Sequence, residues 1–307
     1  MAKLFDKEAW LARKEEKLSE AKVALEEGLN RLQTSEGWQE MLKAMAHLGR
    51  LSVGRLSFNN QVLVQLQRPG TVNAATFQAW KENSRSVKKG EKGMAILAPV
   101  FAKKDKENSE VDDAMKLVGF RVLTVFSEEQ TEGKPLPKYQ APDVEGAEAF
   151  EGSVEKLREV ALAIPGAPVT GIELRLRVEG DVPNARGWYQ PATKHIVVLT
   201  DGRTRAQQFS TLCHEVAHAL LHPIGDPHGR AAQEVEAEST AFVVCHALGL
   251  DTGAKSFPYV GGWGEGEGAL KLISESGQRI AKAARRVLDA LCGEAAQEQQ
   301  TGDGVAV

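Results

Sequence analysis

The chain has 307 residues, 42% of them hydrophobic and 26% charged, with a formal net charge of −4. That is long enough for two domains with full cores, and the composition is that of an ordinary water-soluble protein. The negative total excludes a globally basic nucleic-acid binder but leaves room for a local basic patch. Cys213, Cys245 and Cys292 form no C-x-x-C pair, which points to thiols kept reduced and packed as small apolar groups. Residues 1–8 lack the apolar run of a signal peptide. No apolar segment approaches the roughly 20 residues needed to span a bilayer. The expectation is a cytoplasmic protein with no membrane partner.

Taken in order, residues 6–33 read as a helix with a stripe of Leu18, Ala21, Leu25, Leu29 and Leu32 among charged residues. A second helix is expected around Trp38 to Leu51, packing as a hairpin. Ser57–Pro69 ends in the turn Pro69-Gly70. After Thr76–Trp80 comes a basic, Gly-punctuated loop from Arg85 to Gly93, then a strand at 94–100 closed by a proline. From Trp80 to Lys106 there are eight Lys or Arg against three acids. Cations interleaved with Phe77, Trp80 and Phe101 suit a single nucleic-acid strand, the charges tracking phosphates and the rings accepting bases. A solvated hairpin with charged tips has the same composition, and the residues alone leave both readings open. Val118–Phe126 alternates as a strand does. A polar, Pro-rich run follows, and 132–150 is read as an interdomain linker.

The next part opens with a helix near 153–163. Strands are expected at 172–178, 187–191 and 195–199. A strand just before the following helix would offer an edge on which an extended peptide pairs.

Gln207–His222 carries the chemistry. At about 100° per residue, Phe209, Leu212, Cys213, Val216 and Leu220 share one stripe of a helix. His214 and His218 lie one turn apart on the opposite side, with Glu215 beside them. This is H-E-x-x-H: two imidazoles reach one Zn2+ and the carboxylate faces the water that the ion activates. His222, one turn further, reads as a helix C-terminal histidine favoured by the dipole. A second helix carries Glu234 and Glu238 on one face, with Glu236 pointing elsewhere. Two same-face carboxylates repel unless a cation or an imidazole N–H takes up their charge. One is expected as the third ligand and the other as the group that orients a histidine. A last helix is expected over 270–291, with Lys282, Arg285 and Arg286 as surface charges. The Gln- and Gly-rich tail 293–307 reads as disordered.

Several of these words resemble ArdC-type antirestriction proteins. Phe58-Asn59-Asn60-Gln61-Val62-Leu63, Phe77, Trp80, Val87–Gly93, Ile96–Pro99 and Val125–Gly133 are similar to that family's N-terminal domain. Ser127 stands where the family usually has Asp. His214–His218 with Glu234–Glu238 is similar to the family's zinc metallopeptidase domain and to the ImmA/IrrE peptidases of mobile elements. The similarity spans about 40–290, with the helix before residue 35 outside it. The resemblance implies single-stranded DNA as a partner, contacted by Trp80, Arg85, Lys88, Lys89 and Lys92. It also implies Glu234 as the third ligand beside His214 and His218, with Glu238 behind them.

The expectation is therefore an α+β protein of two domains. Its parts are an N-terminal helix (1–35), a single-strand-binding domain (36–131), the linker (132–150), a zincin-like domain (151–292) and the tail (293–307). The expected function is DNA binding joined to a Zn2+ peptidase, with Glu215 as general base and an unidentified protein or peptide as substrate. Tyr259, His222 or His228 would supply an oxyanion donor. The competing expectation is a factor that shields incoming strands from nucleases, its zinc site structural or vestigial. A closed structural site would need a fourth protein ligand, and Cys213 points about 100° away from His214.

Overall fold

The computed structural model describes residues 6–47, 56–103, 115–136, 147–164, 169–250 and 266–292. Helices and strands are mixed, and the chain divides into two units. Among the described residues, the first unit takes those up to Asn30 together with 56–136, and the second takes Arg31–His47 and all those from 147 onward.

The first unit holds α1 (Lys7–Arg31, all but its last residue), α3 (Phe58–Gln67), β1 (Ala74–Thr76), α4 (Phe77–Glu82), β2 (Arg85–Val87), β3 (Met94–Lys103), β4 (Met115–Ser127) and β5 (Thr131–Gly133). An antiparallel sheet runs β1-β4-β3, and β2 pairs with β5 as a separate ribbon. The pairing of Gly133 with Arg85 places the start of the expected linker inside this unit. Residues 137–146 lie outside the described residues. Leu56, Val64, Ala74, Met94, Ile96 and Val125 form the core beneath α3. Gly28 lets α1 close on α3, since a Cβ there would stand 2.5 Å from Val62 Cγ1.

The amides of α3 do a second job. Asn60 Nδ2 donates to the Leu97 carbonyl and its Oδ1 accepts from the Leu97 N–H, both at 2.9 Å. Gln67 repeats this on Ala95, both bonds at 2.8 Å. Together they satisfy the outer edge of β3 at Ala95 and Leu97, which would otherwise be free there to pair with another chain.

The second unit holds α2 (Ser35–His47), α5 (Ala147–Leu162), β6 (Gly171–Arg175), β7 (Gly187–Gln190), β8 (His195–Leu199), α6 (Arg205–Leu221), α7 (Arg230–Ala247) and α8 (Glu267–Cys292). Strand order is β6-β8-β7, with β6 parallel and β7 antiparallel to β8. The strand preceding the H-E-x-x-H helix is thus central, and β7 provides the edge that was expected of β8. Phe209, Leu212 and Val216 of α6 are buried, as are Ala241 and Val244 of α7 and Ile273, Ile280 and Val287 of α8. The α2 helix, expected to pack in a hairpin, lies on α7, with Trp38 and Leu42 wholly buried. Among the described residues, no helix is long and apolar enough to cross a membrane.

Candidate metal centre

Local sequence fixes the start of α6. Thr204 accepts from the Gln207 N–H and Gln207 Oε1 accepts from the Thr204 N–H, both at 3.2 Å. This reciprocal cap sets the register in which His214 and His218 share a face. Their Nε2 atoms lie 3.0 Å apart. Glu234 Oε2, one turn into α7, is 3.5 Å from His214 Nε2 and 3.7 Å from His218 Nε2. Donors bound tetrahedrally at about 2.0–2.1 Å from an ion stand about 3.3 Å from one another. The three atoms are within a few tenths of an ångström of that, and two neutral imidazoles with one carboxylate suit a divalent cation. The expected ligand set His214, His218 and Glu234 is therefore brought together.

Glu215 is 6% exposed and lies at the same wall. Burial pushes its carboxyl up, while the two histidines and the Tyr189 N–H, which donates to it, pull it down. Gly187 permits the close approach of β7. A Cβ there would meet the Val197 carbonyl oxygen at 2.7 Å and Thr211 Cγ2 at 2.8 Å, with Glu215 Cγ 3.5 Å away. A cleft of about 310 Å³ opens over the donors, bounded by Gly187, Trp188, Tyr189, Arg230 and Gln233.

Each of these two histidines is gripped from behind. His214 Nδ1 is 3.1 Å from Glu238 Oε2, the place expected for Glu238. Burial draws His214 down, but its bonds with Glu234 and Glu238 outweigh this and raise it to about 9. Bonds with His214 and His218 hold Glu234 well below the usual carboxylate range. His218 Nδ1 is 2.9 Å from His222 Nδ1, and His222 Nε2 is 2.9 Å from Glu236 Oε2. His222 does stand at the C-terminal end of α6, as expected, but it is enclosed and hydrogen-bonded on both ring nitrogens. It is 6% exposed and caps α6, and burial lowers its pKa. Glu236 does point away from the donors, yet it is fully buried and 3.1 Å from Arg279 Nη2. The two N–H groups of Arg279 Nη2 donate to Asp226 at 3.0 Å and to the Leu221 carbonyl at 2.6 Å.

Both ring nitrogens of His222 are engaged, so it is not an oxyanion donor. His228 Nδ1 is taken up by Asp226 at 2.8 Å, and Tyr259 lies outside the described residues. Sequence reasoning named His222 and Glu236 without this role and did not name Arg279. A third histidine at the same four-residue interval was the one signal for the first of them.

In the first unit the expected DNA contacts divide. Trp80 is wholly buried and its Nε1 donates to the Phe126 carbonyl at 2.8 Å, so it is a core residue and presents no face to a base. Arg85 is 9% exposed and spends its guanidinium on Thr131 Oγ1 (2.8 Å) and the carbonyls of Lys134 (2.7 Å) and Thr131 (3.2 Å). It is a loop clamp, not a phosphate contact. Lys88, Lys89 and Lys92 are exposed. Gln130 pins their loop from beneath, donating to Glu91 Oε2 and to the Lys92 carbonyl, both at 2.8 Å. Phe77 and Phe101 are 57% and 51% exposed. Lys104 and Lys106 lie outside the described residues.

Residues 18–127 match the family model for the N-terminal domain of anti-restriction factor ArdC. The match begins within α1, upstream of the boundary expected at residue 36. An uncharacterized protein of Bacillus anthracis is 24% identical over 257 residues, covering 73% of this chain and 43% of its own length. The chain thus spans less than half of that relative. Two crystal structures of the antirestriction ArdC protein from the R388 plasmid are similar. The metal-free form is 21% identical with a TM-score of 0.48, and the Mn(II)-bound form is 22% identical with a TM-score of 0.46. Each comparison covers 76% of this chain and 84% of the other.

Proposed function

From the premise that this chain is of the ArdC type, with that family's N-terminal domain at residues 18–127, we propose that it binds single-stranded DNA and carries a divalent-metal peptidase site. The observation that carries the second half is the convergence of His214 Nε2, His218 Nε2 and Glu234 Oε2 beside the buried Glu215, at the floor of an open cleft. The second unit is read as a zincin-like domain (151–292), with Zn2+ as the ion that best suits two imidazoles and one carboxylate.

A divalent ion held there supplies Lewis acidity, acidifying a water and polarising a carbonyl. The chain's own part is the proton. Glu215, raised by burial and steadied by the Tyr189 N–H, accepts it from the attacking water and returns it to the departing amine. Apart from the Tyr189 N–H, which Glu215 holds, the outer edge of β7 offers backbone groups along which an extended peptide would lie, its scissile bond beside Glu215. Among the described residues the donor group has three members, which leaves a coordination position for water and speaks for catalysis over a closed structural site.

For DNA, support rests on the family and on Lys88, Lys89 and Lys92, exposed together on a pinned loop, with Phe77 and Phe101 as the open aromatic faces.

Metal analysis of the purified chain, paired with cleavage of a denatured protein by wild type and Glu215→Gln, tests the catalytic reading. The variant should keep the ion and lose cleavage. A wild-type chain that binds the ion, protects or binds single strands and cleaves nothing would leave a DNA-shielding protein with a vestigial site.

A further inference from the structure

Resting on the reading of His214, His218 and Glu234 as the ligand set, we propose that His222, Glu236 and Arg279 form a positioning relay that fixes His218 for coordination. The polarity of this relay follows from proton bookkeeping. An imidazole that gives its Nε2 lone pair to an ion must carry its proton on Nδ1. The His218 Nδ1–H has His222 Nδ1 before it at 2.9 Å, so His222 Nδ1 must accept. The His222 proton then sits on Nε2, where it donates to Glu236 Oε2 at 2.9 Å. Glu236 receives it as a carboxylate, and Arg279 on α8 forms an ion pair with the same oxygen, its Nη2 3.1 Å away. Every donor meets an acceptor only in this direction. The reverse order would put a proton on His218 Nε2 and remove the ligand.

The two ligand histidines are therefore held differently. His214 leans directly on Glu238. His218 leans on a carboxylate through a second ring, and that carboxylate is anchored on a different helix. The relay is buried through its first two members, with His222 6% exposed and Glu236 fully enclosed, while the Arg279 side chain is 26% exposed. Glu236 Oε1 is buried with no partner among the described residues, so the charge is held through Oε2 alone. Arg279 in turn ties Asp226 and the Leu221 carbonyl, where α6 ends, to α8. His222 thereby links the metal site to the packing of the last helix.

The test uses the full chain and Zn2+, with affinity read by competition against a chromophoric chelator. His222→Leu fills the space but offers neither acceptor nor donor, and should bind Zn2+ about 10–100-fold more weakly. His222→Gln supplies a carbonyl for His218 and an N–H for Glu236, and should stay within about threefold of wild type if the relay works by hydrogen bonding. Long-range 1H–15N correlation on the Zn2+-loaded wild type should find His222 protonated on Nε2, with His214 and His218 protonated on Nδ1. A folded His222→Leu that binds as tightly as wild type overturns the relay, as does a His222 protonated on Nδ1. Should the Leu variant fail to fold by circular dichroism, the tautomer decides. A wild-type chain that takes up no Zn2+ overturns the ligand set itself, and the relay with it. Weak binding in both variants, with the expected tautomer, marks packing rather than hydrogen bonding and overturns it too.

Discussion

Trp38 Nε1 donates to Ser239 Oγ at 3.0 Å, with both residues fully buried in the second unit. Helix α2 is thereby fastened to α7 at the residue following Glu238. Replacing Trp38 by Phe keeps the ring and removes the donor, stranding the hydroxyl. It should cost about 1–3 kcal/mol of stability in urea denaturation. An unchanged midpoint would mean the hydroxyl finds another partner at no cost.

Metal binding should release a proton. In the metal-free chain His214 is raised to about 9, so it is charged at neutral pH, and coordination needs its free lone pair. Calorimetry at pH 7–8 in buffers of different ionisation enthalpy should show about one proton expelled per ion from this group. Apparent affinity should climb as pH rises and level off above about 9. A pH-independent affinity between 7 and 8.5 would refute the assignment.

The two carboxylates on the shared face of α7 should separate by magnitude. Glu234→Ala removes a proposed ligand and should leave little bound metal in dialysed protein. Glu238→Gln still accepts from His214 Nδ1 but without charge, and should weaken binding by about tenfold, at the low end for a supporting partner. The opposite ranking would exchange their roles.

Trp80→Ala should unfold the first unit rather than weaken DNA binding selectively. A buried tryptophan truncated to alanine costs about 3–5 kcal/mol, and here it also orphans the Phe126 carbonyl. Circular dichroism and denaturant titration read this directly. A stable, DNA-deficient Trp80→Ala would restore the base-stacking role that burial removes.

The exposed loop lysines should act on salt dependence. Replacing Lys88 and Lys89 together by Ala should weaken single-strand binding about equally for all sequences. It should also flatten the log–log salt slope by about 0.7 per lost phosphate contact. Fluorescence anisotropy at several salt concentrations measures both, and an unchanged slope would place the DNA elsewhere.

The H-E-x-x-H helix could be read from the chain because everything that defines it is local: a four-residue interval, an apolar stripe opposite, and the carboxylates on the next helix. Trp80 and Arg85 could not. A tryptophan closing a short apolar helix looks the same whether it faces the core or solvent, and its partner Phe126 is 46 positions away. Arg85 is settled by Thr131, also 46 positions on. An arginine in a basic loop counts towards a patch until its guanidinium is seen to be occupied. His222 was legible as a position and not as a role, because that depends on Glu236 and Arg279 meeting it. Packing of α2 on α7 was invisible for a similar reason: an amphipathic helix declares that it has a buried face, and says nothing of which partner covers it.

His218 and Glu234 are 16 positions apart in the chain, joined by the turn after α6. An ion gripping both would act as a removable crosslink across that turn. By chain-entropy reasoning, closing a loop of about 15 residues in the unfolded ensemble is worth about 3 kcal/mol. That sum would be lost whenever the ion leaves, so metal supply would set how long the second unit survives before opening to proteases. The site would then govern the protein's lifetime as well as its chemistry.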